Sequence, residues 1–171
     1  NLQPRNLNAS LLLDSVRLQT GQKFFNIDST SLIATSLNGI DSILLKAPFA
    51  DVHAGGAFDY DLIATSLMQY VNGYYKIPGF VPGNKIIPPQ QFGIKGTVTQ
   101  SPLITTLVPG LKSYDDVIFK GTYSSAETDS ALNFNTKVRH VVYGTNTISN
   151  AVVNINSKNS KINYLWLKAL R

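Results

Sequence analysis

The chain has 171 residues, which is enough for one domain with a sizeable core. It contains no cysteine, so a disulfide framework and a thiolate metal site are both excluded. The formal net charge is +5, but the lysines are spread along the chain, which predicts a solvated surface rather than a nucleic-acid site. Glutamate occurs only once, at Glu127, while Ser, Thr and Asn are abundant. The composition therefore favours strands and turns over helices.

The first third of the chain shows the period-two alternation of half-buried strands. Apolar residues occupy every second position from Leu7 to Leu13, and the alternation continues through Phe25 and Ile27. A Ser/Thr-rich stretch then ends at Asn38-Gly39, a dipeptide that favours a tight hairpin turn. Beyond this turn, the alternation predicts one apolar face formed by Ile43, Leu45, Ala47, Phe49, Val52, Ala54, Gly56 and Phe58.

The pattern changes to a helical one after Asp61. Apolar residues at Ile63, Leu67 and Tyr70 fall on one side of a helix, so we predict a helix over residues 62–75, capped by Asp59 or Asp61. The hexapeptide Leu-Ile-Ala-Thr-Ser-Leu occurs in this helix and also at 32–37. Because surroundings override intrinsic propensity, we expect the first copy to be extended and the second helical.

A Pro-rich stretch at 76–91 is the best candidate for a boundary within this single segment of residues 1–171, because it holds four of the eight prolines. Alternation resumes at Phe92, and Ser101-Pro102 predicts the start of a short helical turn. The remainder of the chain reads as strands joined by short turns. Successive strands of this kind predict a mainly β protein with an antiparallel meander.

The sequence contains no recognisable catalytic motif. His53 and His140 belong to no spaced motif of histidines or carboxylates, and Asp115-Asp116 has no matching carboxylate pair elsewhere. Gly-x-Ser-x-Gly and phosphate-binding glycine loops are also absent from the sequence. We therefore expect a protein that is not an enzyme and that uses neither a metal nor a cofactor.

Two passages resemble a known family. Residues 56–75 read Gly-Ala-Phe-Asp-Tyr-Asp-Leu-Ile-Ala-Thr-Ser-Leu-Met-Gln-Tyr-Val-Asn-Gly-Tyr-Tyr, a small-residue strand followed by a short helix with paired aromatics. Residues 92–98, 101–111 and 117–123 alternate strands with a "Pro-Leu … Leu-x-Pro-x-Leu" turn. This order resembles the TamB-like proteins of the AsmA/TamB superfamily, the translocation and assembly module proteins, in their Bacteroidetes versions.

The resemblance implies an internal fragment of a periplasmic protein that is anchored to the inner membrane by a segment outside this chain. It implies a curled antiparallel sheet that forms an open apolar groove, which carries phospholipids between the inner and outer membranes. The implied partners are phospholipid acyl chains, adjacent groove segments of the same protein and an outer-membrane β-barrel protein, and they include no nucleic acid.

The alternation predicts twelve residues, called the nominated residues below, on the inward face of such a groove. They are Phe25, Ile27, Leu45, Phe49, Phe58, Phe92, Ile94, Val98, Phe119, Phe134, Val153 and Ile155. The same positions would be apolar in a closed β-sandwich, which leaves two alternatives. One is a scaffold for outer-membrane protein assembly or secretion, and the other is an adhesin or carbohydrate-binding sandwich.

Overall fold

The computed structural model describes residues 8–73, 76–81, 83, 86–127, 131–158 and 161–168, with side chains described through residue 157. The described part of the chain is mainly β, as the alternation predicts, and it contains two helices. The first six strands are β1 (Ala9–Leu13), β2 (Val16–Thr20), β3 (Lys23–Ile27), β4 (Thr30–Leu37), β5 (Ile40–Ala47) and β6 (Ala50–Ala57). The other six are β7 (Gln91–Val98), β8 (Leu111–Tyr114), β9 (Val117–Ser124), β10 (Leu132–Tyr143), β11 (Asn146–Lys158) and β12 (Lys161–Lys168).

Ten of these strands form one large sheet, in which nine follow the order β1-β4-β5-β6-β7-β9-β10-β11-β12 and the tenth is β8. The short strand β8 also pairs with β10, beyond the part of β10 that pairs with β9. All pairs are antiparallel, and most neighbours in the sheet are also neighbours along the chain. Strands β2 and β3 form a separate two-stranded sheet, so β1 pairs with β4 across this hairpin. The predicted antiparallel meander is therefore confirmed.

The hairpin between β4 and β5 turns at the predicted dipeptide. Asn38 and Gly39 both have positive φ, 52° and 77°, which is the requirement of a type I′ turn. The next connection, between β5 and β6, is also a two-residue turn, formed by Pro48 and Phe49. Phe49 was predicted to continue the strand alternation, but it lies in this turn because the strand ends at Ala47, before the proline.

The helices are α1 (Ile63–Asn72) and α2 (Pro102–Leu107). α1 is shorter than the predicted span of 62–75, and residues 74 and 75 lie outside the described residues. The two copies of the hexapeptide behave as predicted, since residues 32–37 lie in β4 and residues 63–67 of the second copy lie in α1. α2 begins as predicted, because the Ser101 side chain accepts a hydrogen bond from the backbone of Leu103.

Two details of α1 differ from the prediction. The N-cap position is Leu62, which makes no side-chain cap, and the Asp59 carbonyl accepts hydrogen bonds from Leu62 and Ile63. The fully buried residues of α1 are Ser66 and Asn72 rather than members of the apolar stripe. Asn72 is buried because its Oδ1 accepts a hydrogen bond from the backbone of Ile77, where the chain leaves the helix.

The sheet continues across the Pro-rich stretch. β6 and β7 pair along all eight of their residues, although residues 58–90 separate them in the chain. The described residues between α1 and β7 form no helix or strand, as the prolines predict. Gln90 fixes this segment, because its side chain accepts from the Asp59 backbone and donates to the Pro88 carbonyl, while its own backbone exchanges hydrogen bonds with Ser125.

Candidate functional site: one apolar face of the sheet

The register of the large sheet collects most of the nominated residues on one face. Directly paired residues of antiparallel strands point to the same side of a sheet. One row of paired residues consists of Leu11, Leu32, Leu45, Val52, Gly96, Phe119, Thr136 and Val153. The next consists of Ala9, Ala34, Ile43, Ala54, Ile94, Gly121, Phe134 and Ile155. We call this side of the sheet the apolar face.

Eight of the twelve nominated residues lie on the apolar face. They are Leu45, Phe92, Ile94, Val98, Phe119, Phe134, Val153 and Ile155. The face extends from β1 to β11 in the described side chains. Each step between neighbouring strands covers about 4.8 Å, so the seven steps span roughly 34 Å.

Two phenylalanine rings lie over glycines of the neighbouring strand. A methyl group added at Gly96 would sit 2.9 Å from the Phe119 ring, and one at Gly121 would sit 3.0 Å from the Phe134 ring. The two rings stack on each other, with centroids 6.3 Å apart and planes inclined by 24°. Because glycine has no side chain at these two points, the rings pack directly on the backbone, and the centre of the apolar face is flat.

The apolar face is only half-buried. All eight nominated residues on it retain intermediate exposure. Towards the β1 edge the exposure rises, to 39% for Leu32 and 51% for Leu11. The fully buried hydrophobic residues of the described chain are few, namely Ala34, Ala50, Phe58, Leu103, Tyr114, Tyr123, Ala131 and Ala151. The described residues therefore do not pack a second layer across the whole of this face.

Helix α1 covers one end of the apolar face. Ser66 Oγ and Tyr123 Oη, both buried, lie 2.9 Å apart, and the tyrosine hydroxyl is also 3.2 Å from the Ser66 carbonyl. The Tyr70 and Phe92 rings each pack 5.6 Å from the Tyr123 ring. Burial raises the pKa of Tyr123, the hydrogen bond with Ser66 lowers it in part, and Tyr70 raises it again. One hydroxyl pair thus fastens α1 to β9.

The other four nominated residues lie off the large sheet. Phe25 and Ile27 belong to the β2–β3 hairpin and Phe49 to the β5–β6 turn, but the three meet Leu103 of α2 around a cavity of about 370 Å³. Phe58 directly follows β6 and is buried against Tyr60 and Phe92, with ring centroids 5.2 and 6.1 Å away. Phe25, Ile27 and Phe49 are therefore separate from the apolar face, whereas Phe58 packs against Phe92 at its end.

The opposite face of the same strands carries a cluster of basic residues, although Ile40 and Ile118 are also exposed on it. Between β5 and β10 it presents five exposed cations, Lys46, Lys95, Lys120, Lys137 and Arg139, against one carboxylate, Asp51. Lys95 and Lys120 are direct cross-strand partners. The lysines look scattered in the sequence, yet each falls on the polar phase of its strand. That parity is the signal that predicts their clustering on one face.

The polar residues singled out in the sequence have structural partners. His53 Nε2 lies 3.3 Å from Ser42 Oγ, and Asp116 Oδ1 accepts a hydrogen bond from the Gln100 backbone. The backbone of Asp115 bonds to the His140 carbonyl. In the residues that the structure describes, no group of three His, Cys, Asp or Glu side chains is arranged to hold a metal ion.

No family model, curated protein or solved structure matches the chain. Among the described residues, neither helix is long and apolar enough to cross a bilayer. Sequence reasoning missed Ser66 and Gln90 because each bonds to a partner distant in the chain, and it missed Asp41 because the burial of this residue arises only in the folded sheet.

Proposed function

We propose that this chain is a segment of a periplasmic bridge that carries phospholipids between the inner and outer membranes, with acyl chains lying on the apolar face. The observation that carries the proposal is the register, which places alternate apolar residues of the large sheet on one continuous face that the described residues leave half-exposed. The resemblance to TamB-like proteins supplies the setting, including the periplasm and an inner-membrane anchor outside the chain.

The dimensions of the apolar face suit an acyl chain. Half of a bilayer's hydrocarbon core is about 15 Å thick, which is the length that one lipid tail occupies. Along β5, the same-face positions from Ile43 to Ala47 cover about 13 Å, and across the strands the face is more than twice as long. A tail therefore fits in either direction, and each methylene group removed from water contributes about 0.8 kcal/mol.

The flat centre of the face favours movement over fixed binding. The Phe119 and Phe134 rings lie on glycines, so they offer ring surface without projecting ridges that would trap a tail. The polar residue in this region, Thr136, donates its hydroxyl to the Ile118 carbonyl and leaves no free donor for a ligand. A curled sheet with such a lining would act as a groove along which tails slide, and this activity requires no catalytic group.

The two edges of the sheet suit the expected continuation of the groove. Among the described strands, β1 and β12 end the strand order, and each has a strand partner along one side only. Adjacent groove segments of the same protein, or strands of an outer-membrane β-barrel protein, would pair there.

Photo-crosslinking tests the proposal without disrupting the fold. A benzophenone amino acid is placed at Phe134, on the apolar face, or at Ile118, which is 64% exposed on the opposite face of the adjacent strand. In the full-length protein in cells, we expect phospholipid adducts from position 134 and few from position 118. Equal labelling of both positions, or lipid at neither, would refute lipid carriage.

The same experiment separates the alternatives. Adducts with outer-membrane protein precursors in place of lipid would favour an assembly or secretion scaffold. Glycan binding by a protein that never recovers lipid would favour an adhesin. As a functional counterpart, Phe134→Asp should block lipid passage because it puts a charge among apolar tails, whereas Ile118→Asp should leave passage intact.

A further inference from the structure

A cavity of about 300 Å³ lies at one end of the apolar face, beside the start of α1. Its wall includes Asp41, Phe58, Asp59 and the Pro88–Gln90 segment. Asp41 is paired with Gly56 of β6, in the same row as Phe92 and Tyr123, so its side chain belongs to the apolar face. The cavity thus adjoins the end of the surface that we propose to hold acyl chains.

Asp41 is buried without a full set of partners. The residue is only 5% exposed, and its Oδ1 is sealed from solvent with no hydrogen-bond donor. The hydroxyl of Tyr60 is likewise buried and unpartnered. Burial raises the pKa of Tyr60, and the charge of Asp41 raises it further, which places the two groups within electrostatic reach. A buried carboxylate oxygen without a donor costs free energy, and a cation held close to the carboxylate offsets part of that cost electrostatically.

Among the described side chains that line the cavity, Gln90 is the one with a hydrogen-bond donor. Gln90 carries the nearest side-chain amide of the wall, but its oxygen is occupied by the Asp59 backbone and its nitrogen donates to Pro88. The second carboxylate, Asp59, adds negative charge and accepts a hydrogen bond from the Asp61 backbone. The cavity therefore places Asp41, whose Oδ1 lacks a donor, beside a second carboxylate, a combination that favours a cationic donor and disfavours an anion.

Aromatic rings complete the chemistry of the cavity. Phe58 lines it and packs edge-on against Tyr60, with ring centroids 5.2 Å apart. Aromatic faces beside a carboxylate attract ammonium groups, including substituted ones. The same-face residue next to Asp41 is Ile43, about 7 Å away along the strand. A cationic head in the cavity would accordingly have its tails on the apolar face.

From this arrangement we propose that the cavity beside Asp41 binds the ammonium head group of a zwitterionic phospholipid. This inference rests on the proposed function and adds a head-group preference to it. Anionic head groups are disfavoured because they would meet Asp41 and Asp59. The preference is set at one end of the face, whereas the tails lie on a surface that does not distinguish lipids.

Competition between two lipids tests the preference. The full chain is exposed to a detergent-solubilised equimolar mixture of phosphatidylethanolamine and phosphatidylglycerol, and retained lipid is counted by native mass spectrometry. We expect the wild type to retain the ethanolamine lipid at least about fivefold over the glycerol lipid, since a charge-assisted hydrogen bond distinguishes them. Asp41→Asn should bring the ratio to about one with total lipid unchanged, and Tyr60→Phe retains the Asp41 side chain and should preserve the preference.

Asp51→Asn is the matched control, since it removes one carboxylate from the exposed opposite face and should leave the ratio unchanged. Lipid retention without a preference in the wild type overturns the inference but leaves the proposed function standing, because the tails would still bind. An equal loss of preference in Asp51→Asn also overturns it, since bulk charge would then be the cause.

Titration of soluble phosphoethanolamine into the wild type and into Asp41→Asn measures binding to the cavity in the absence of any lipid. We expect binding by the wild type that Asp41→Asn loses at least about fivefold. Equal binding by both, or none, overturns the inference even if no lipid is recovered, a result that would refute the proposed function separately. If phosphoethanolamine binds the wild type while the ethanolamine lipid does not, the ligand is a free amine and the lipid assignment is wrong.

Discussion

Adjacent glycines in β6 should respond very differently to the same methyl group. A methyl at Gly56 would collide with backbone, because it would overlap Gln91 O and come within 2.6 Å of Phe92 Cα. A methyl at Gly55 would meet nothing closer than 3.6 Å, which is ordinary van der Waals contact. The two residues are neighbours in the same strand, so each substitution serves as the control for the other.

The magnitudes follow from these contacts. Overpacking costs about 1–3 kcal/mol, and the φ of 157° at Gly56 adds a backbone penalty of about 1–3 kcal/mol for a residue with a Cβ. Gly56→Ala should therefore lower the free energy of unfolding by about 3 kcal/mol, which at about 2–4 °C per kcal/mol is a Tm lower by about 6–12 °C. Gly55→Ala should change stability by less than about 1 kcal/mol, since it only restricts the unfolded chain.

Thermal unfolding followed by circular dichroism measures both variants, and hydrogen exchange locates the damage. The loss of protection in Gly56→Ala should be concentrated in β6 and β7, whose register requires the close backbone approach at this point. Equal Tm values for the two variants would show that the β6–β7 contact is looser than the structure indicates, and would refute the reasoning.

Three further predictions concern the helices and their anchors. Tyr123→Phe leaves Ser66 Oγ buried without its partner and should cost about 1–2 kcal/mol, whereas Tyr143→Phe, at a residue 52% exposed, should be neutral in the same urea titration. Because burial raises the pKa of Tyr123, its neutral form stabilises the fold fully below about pH 10 and less as the pH rises further. Between pH 8 and 11, the Tm of Tyr123→Phe should therefore fall less steeply than the Tm of the wild type. Identical slopes for the two proteins would contradict this. Ser101→Ala removes the N-cap of α2 and should lower the free energy of unfolding by about 1 kcal/mol in thermal unfolding. Thr105→Ala removes only an exposed hydrogen bond to Pro102 and should cost less. A larger loss in Thr105→Ala than in Ser101→Ala would exclude a capping role for Ser101.

The sequence predicts local features of this fold well. Period-two alternation locates strands on both sides of Asn38-Gly39, and this dipeptide marks a turn whose two positive φ values the structure confirms. The identical hexapeptides also take the predicted extended and helical forms. These features depend on residues close together in the chain, which is the range over which pattern and turn chemistry operate.

The rest depends on pairing between distant residues. Phe49 fits the alternation but lies in a turn, because the strand ends before Pro48. The pairing of β1 with β4, and the meeting of Ser66 with Tyr123, require a register that no local pattern specifies. Parity within each strand identifies which side chains share a face of that strand, but only the register aligns the faces of neighbouring strands.

Pairing of β6 with β7 across residues 58–90 has a consequence for how such a sheet changes in evolution. The ladder depends only on adjacent strands, so a helix and a long loop can be inserted at a hairpin connection without disturbing the strands on either side. Hairpins can also be gained or lost without disturbing the strand pairs next to them. Each added strand lengthens the apolar face by about 4.8 Å, so the length of that face can be adjusted in small steps.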